Sequence, residues 1–152
     1  MTVSQEIDKR LARLKSADPK TRDLAAAEIG DYLEADRLSP PCLQRAVHTL
    51  MTFAFRESDE TARESIFNAL SIASECSDTS GIDWGPIAAR LDELPVDCLE
   101  HALVILGFSG NPKYRTKIRS FLSHPDESIR ATAADSMAML ASDGLKSAQR
   151  RT

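Results

Sequence analysis

The chain has 152 residues, 42% of them hydrophobic and 28% charged, with a formal charge of −4. A single domain is expected at that length, able to bury a core without help from metals or disulfides, and the composition is ordinary for a soluble globular protein. No apolar run approaches the roughly 20 residues that span a bilayer, so no membrane-spanning segment is expected.

The N-terminal "MTVSQEIDKR" has no apolar secretory core, and neither end carries a lipidation motif. Cys42, Cys76 and Cys98 are odd in number and form no CxxC pair. They read as reduced thiols, not as a disulfide framework or a zinc site, and a cytoplasmic location is the expectation.

The apolar spacing is helical throughout. Ile7, Leu11 and Leu14 recur at i, i+4, i+7, as do Leu43, Val47, Leu50 and Ala54, and then Ile66, Leu70 and Ala73. No stretch alternates with period two, and aromatic residues are only 5%, which argues against strands. Start signals divide the chain. Ser4 is placed to cap a first helix. Asp18-Pro19 and Ser39-Pro40 set a capping oxygen before a proline at the first helical position. Asp59, Asp83, Leu94-Pro95, Asn111-Pro112 and His124-Pro125 mark the rest. Eight helices are expected, near 4–15, 19–35, 40–56, 60–76, 84–92, 95–108, 112–122 and 126–141. Their connections are short, except "SDTSGID" (77–83), so neighbours run antiparallel. One domain over 1–142 is expected, followed by a polar tail, 143–152.

The second helix of each hairpin repeats a pattern. Arg22, Arg63, Glu100 and Arg130 align in one column. Four positions earlier stand Asp18, Asp59, Val96 and Asp126. Three later come Ala25, Ile66, Leu103 and Ala133, and seven later Ile29, Leu70, Gly107 and Met137. Three of the four units therefore read D-x3-R followed by apolar residues at +3 and +7. The third departs, with Val96, Glu100 and Gly107.

This pattern resembles the HEAT-repeat family over residues 4–141. The resemblance implies an all-α fold, an α-solenoid of about four HEAT-like helical hairpins. It also implies a polar ladder of Asp18/Arg22, Asp59/Arg63 and Asp126/Arg130 between stacked second helices, broken at the third unit. One hairpin cannot bury its apolar face alone, whereas a stack can, and a stack presents an extended surface suited to macromolecules.

No catalytic constellation emerges. His48, His101 and His124 lie on different units, none at zinc-ligand spacing with another His or Cys. His101 is three residues from Cys98, which reads as a buried thiol beside a partly exposed ring. There is no GxxxxGK[ST] or GxGxxG, and "GFSGN" (107–111) is a turn lacking nucleophile-elbow spacing. Asp92 and Glu93 are adjacent on a helix and point apart. No enzyme activity, cofactor or metal is expected.

Charge is the stronger signal. Residues 57–111 hold 11 acidic side chains against Arg63 and Arg90, a net of −9. Such a segment attracts basic partners and repels nucleic acid. On the fourth helix Glu60, Glu64, Asn68, Ser71 and Glu75 share a polar face. Asp97, Glu100 and His101 continue it on the sixth, and Asp23, Ala27, Asp31 and Glu34 on the second. The contact residues expected are Asp31, Glu64, Asn68, Glu75, Glu100, His101 and Asp135. "PKYRTKIR" (112–119), with Lys146, Arg150 and Arg151, is a weaker basic feature and reads as an exposed helix face. Trp84 reads as a core plug beside Ile87, Ala88 and Leu91.

The chain is also loosely similar to small HEAT-like immunity proteins of bacterial toxin systems, including contact-dependent growth inhibition. That similarity implies a cognate toxin domain as partner, basic and nuclease-type, neutralised by binding. A general HEAT-repeat scaffold or adaptor is the alternative. A HEAT-like DNA-binding protein or glycosylase fits less well, because its DNA-binding surface is basic.

Overall fold

The computed structural model describes the backbone of residues 1–150 and the side chains of residues 1–142. No strand occurs among these residues, and eight α-helices do: α1 (Val3–Arg13), α2 (Pro19–Glu34), α3 (Pro40–Ala54), α4 (Glu60–Cys76), α5 (Gly85–Ala88), α6 (Val96–Phe108), α7 (Arg115–Arg119) and α8 (Glu127–Arg150). The fold is all-α and built of helical hairpins. None of the described helices is long and apolar enough to cross a membrane.

Local chemistry sets the helix starts. Asp18 accepts a hydrogen bond from Lys20 N at 3.2 Å, Asp59 from Ala62 N at 2.9 Å, and Asp126 from Ser128 N at 2.9 Å. Each carboxylate satisfies an N–H that the helix leaves unpaired. The first helix starts earlier than expected. Thr2 caps it in a reciprocal box with Gln5, and Ser4 lies inside the helix, where its Oγ accepts from Arg45. Ser39 occupies the cap of α3 but makes no side-chain cap bond; Pro40 and Pro41 carry no N–H to satisfy there.

Tertiary contacts divide the chain into two compact units, Met1–Asp78 and Thr79–Thr152. In the first, Ile7, Leu11, Ile29, Leu33, Val47, Leu50, Ile66, Phe67 and Leu70 are buried together. The α2–α4 contact is built on small residues. A Cβ added at Gly30 would stand 3.8 Å from Ala69 Cα and 3.4 Å from Ile72 Cδ1. Polar links lock α1 in place: Arg10 Nε lies 2.9 Å from Glu28 and its guanidinium over the Tyr32 ring, while Arg45 reaches Asp8 at 2.9 Å.

In the second unit α6 packs on α8. Gly107 allows a close crossing, since a Cβ there would stand 2.9 Å from Ser136 Cα and 2.6 Å from Met139 Cε. Ser136 is fully buried, and its hydroxyl donates to the Leu103 carbonyl at 2.8 Å. Trp84, Ile87, Leu103, Ile105, Ile118 and Ile129 complete this core.

Three further expectations need correction. The helix expected at 84–92 is a single α turn, α5, followed by a 3-10 turn at Leu91–Glu93. The helix expected at 112–122 is likewise broken, with 3-10 segments at Pro112–Tyr114 and Ser120–Ser123 on either side of α7. Segments this short have too few internal hydrogen bonds to sustain a regular helix, and tertiary anchors such as Lys117 Nζ on the Ala88 carbonyl, at 2.9 Å, hold them instead. The last helix does not stop at 141 but continues to Arg150. Gly144 weakens a helix by about 1 kcal/mol without ending it, and no proline follows. The side chains of Lys146 and Arg150, and all of Arg151, lie outside the described residues.

Candidate functional site

The D-x3-R units show what their residues do. Arg22 Nη1 donates to the Ser16 carbonyl and Arg130 Nη1 to the His124 carbonyl, each at 2.8 Å and each six residues upstream. The Asp caps its helix while the Arg folds back over the preceding loop, fixing how the chain enters the helix. The expected ladder is different in detail. Arg22 crosses to Glu57, not to Asp59, with two parallel hydrogen bonds of 2.7 and 2.8 Å. Glu57 Oε1 in turn accepts from Asp59 N at 3.0 Å. The Nε of Arg63 is buried and has no hydrogen-bond partner among the described residues. In the third unit α6 starts after Pro95 with no side-chain cap, and Val96 is exposed.

In the first unit the expected contact residues lie on α2 and α4. Asp31, Asn68 and Glu75 are exposed, and Glu64 is half-buried. Ser71 does not belong to that face. It is 4% exposed, and its hydroxyl donates outward to Glu75 at 3.2 Å. One turn of helix beyond Asn68 the 3.6-residue period has carried position 71 toward the core. Asp23 is half-buried and accepts from Ser65, tying α2 to α4.

A more concentrated acidic feature lies at the C-terminal ends of these helices. The thiol of Cys76 is pushed above its ordinary value by partial desolvation first, and then by the charges of Glu75, Glu34 and Asp36. All three carboxylates are exposed, and their charges act on the same thiol. The unpaired carbonyls of two helix ends add negative potential there. Sequence periodicity assigned Glu34 and Glu75 to the polar faces but missed Asp36, which follows the helix. Asp36 sits there with φ of 49°, the left-handed conformation common where a helix terminates.

In the second unit Glu100 and His101 are half-buried on α6, and Asp135 is exposed on α8. Cys98 is buried, as is Cys42. Trp84 is 2% exposed and belongs to the core. Among the described residues no group of three or more His, Cys, Asp or Glu side chains is placed to hold a metal ion.

The chain superposes on the crystal structure of an engineered protein, solved by the Northeast Structural Genomics Consortium, with a TM-score of 0.63. Identity is 13%, over 91% of this chain and 68% of that one. At this identity the likeness speaks to the fold alone. No protein-family model and no curated protein matches the chain.

Proposed function

We propose that the chain is a non-enzymatic protein-binding module of HEAT-like hairpins whose acidic surface captures a basic protein. In the fuller form of this reading it is an immunity protein that neutralises a basic, nuclease-type toxin domain. The observation that carries it is the net charge of −9 on segment 57–111, together with exposed Glu34, Asp36 and Glu75, whose charges act on the Cys76 thiol. A nuclease cleft is positive because it holds phosphates, and an acidic surface competes for the same groups. Opposite potentials also speed encounter. Asp31, Glu64, Asn68, Glu100, His101 and Asp135 are assigned to the same role.

The test is capture of partners by the tagged protein from its native cells at moderate salt. One stoichiometric basic polypeptide, whose nuclease activity the purified protein abolishes, supports the proposal. Several substoichiometric partners would favour an adaptor instead. Retention of duplex DNA in place of protein would overturn the acidic-surface reading.

A further inference from the structure

The three D-x3-R helices share a further detail. The backbone N–H of each capping Asp is taken by a side chain two residues earlier. Asp18 N donates to Ser16 Oγ at 3.1 Å, Asp59 N to Glu57 Oε1 at 3.0 Å, and Asp126 N to His124 Nδ1 at 3.0 Å. An acceptor at this position satisfies the N–H that leads into the helix from within the loop itself. The three acceptors differ in how they meet a proton. The Ser16 hydroxyl accepts at any ordinary pH. The Glu57 carboxyl is held below its ordinary value by the hydrogen bonds from Arg22, opposed by desolvation. His124 is the one acceptor of a type that changes charge between about pH 5 and 8.

A neutral imidazole accepts through one nitrogen only. Nδ1 accepts here, so the ring proton sits on Nε2. A second proton can go only to Nδ1, and a protonated Nδ1 cannot accept. Charging the ring and keeping its bond to Asp126 N are therefore mutually exclusive. The ring is half-buried, which leaves water a route to it. On α8 the charged groups beside it are the Asp126 carboxylate and the Arg130 guanidinium. The Asp126 carboxyl is held below its ordinary 3.8 chiefly by the Ser128 hydroxyl, then by the Ile129 N–H, and in smaller part by the charge of His124. Arg130 Nη1 donates to the His124 and Pro125 carbonyls at 2.8 and 2.9 Å, which pins the backbone under the ring. From the preceding 3-10 segment the group against the ring is Phe121, uncharged, with 6.1 Å between ring centres. With the backbone pinned, the imidazole is the part left to move.

We propose that His124 is a proton-operated latch at the entry to α8: protonation of Nδ1 releases the Asp126 N–H, and the ring turns away from it. The latch is independent of the acidic-surface reading.

The experiment is an NMR titration of the full-length protein from pH 8 to pH 5. It follows the Cε1–H of the His124 ring and the backbone amide of Asp126, whose own carboxyl, held below 3.8, titrates outside this range. The Asp126 amide proton should move upfield along the same curve as the ring. Its protection from hydrogen exchange, corrected for the intrinsic pH dependence, should fall about fivefold. His124→Ser places there the acceptor that the chain already uses at Ser16, and should leave the Asp126 amide unmoved over the same range. An amide that stays in place while the ring takes its proton overturns the proposal. So does a ring that takes no proton above pH 5, or an Asp126 amide that titrates alike in His124→Ser.

Discussion

Arg22 and Glu57 form a bidentate ion pair, Nε to Oε2 at 2.7 Å and Nη2 to Oε1 at 2.8 Å, linking the start of α2 to the loop before α4. The Glu57 side chain is only 4% exposed. The pair therefore works where solvent screening is weak, unlike the exposed Arg90–Glu93 pair.

Acid stability follows from it. The hydrogen bonds from Arg22, opposed by desolvation, hold the Glu57 carboxyl below its ordinary value of 4.5. A carboxyl whose pKa is lowered in the folded state contributes stability that is complete above the unfolded value and is lost as pH falls through the folded one. Glu57→Gln should lower the thermal midpoint at pH 7 by about 5 °C. It should also flatten the loss of stability below pH about 4.5. Thermal midpoints measured at pH 7 and pH 3.5 check this; parallel pH profiles for wild type and variant would remove the pair from the account.

Two glycines should respond oppositely to alanine. At Gly107 the new Cβ meets Ser136 Cα at 2.9 Å, and the backbone of α8 has to move. Gly107→Ala should destabilise by about 1–3 kcal/mol. At Gly30 the nearest atom is Ile72 Cδ1 at 3.4 Å, the tip of a flexible side chain. Gly30→Ala should be neutral or stabilise by up to about 1 kcal/mol through helix propensity. Chemical denaturation of both variants decides it, and equal destabilisation would contradict the difference in helix spacing.

Cysteine chemistry reports on the acidic cluster. Cys76 is exposed, while Cys42 and Cys98 are buried, so one thiol should react with a water-soluble alkylating agent in the native state. Its raised pKa keeps the thiolate fraction low. Glu75→Gln removes one of the charges responsible and should speed alkylation at pH 8 by about twofold. An unchanged rate would mean that Glu75 does not bear on the thiol.

Charge reversal tests the proposed partner surface. Glu64→Lys combined with Glu100→Lys should slow association with a basic partner by about tenfold at low salt, with less effect at high salt. Stopped-flow mixing measures this. Equal association rates for wild type and variant would show that the acidic faces do not steer binding.

Much of the fold was legible because helical periodicity and capping are local. The D-x3-R units name helix starts correctly at Asp18, Asp59 and Asp126, since an Asp cap bonds N–H groups two or three residues away. The same locality explains the misses. Short segments such as 112–122 carry a helical pattern but too few turns to impose it, and packing chose 3-10 geometry in part of them. In the fourth unit Met137, aligned with Ile29 and Leu70, is only half-buried, and Ser136 beside it fills the core position. Gly107 fits that exchange: without a Cβ it lets the backbone of α8 approach closely at Ser136.

Sequence alone determined the helical class, the hairpin order and the concentration of negative charge, because these depend on residue spacing and composition. Tertiary structure decided what each polar side chain meets. Arg22 and Arg130 share the D-x3-R pattern, yet Arg22 gains Glu57, 35 positions away, and among the described residues Arg130 bonds the carbonyls of its own loop, at 2.8 and 2.9 Å. Likewise the charges of Asp36 and Glu34 act on Cys76, some forty positions along the chain, only because the fold brings them near it. Contacts between residues 35 or more positions apart depend on how the helices pack, and no local pattern encodes that.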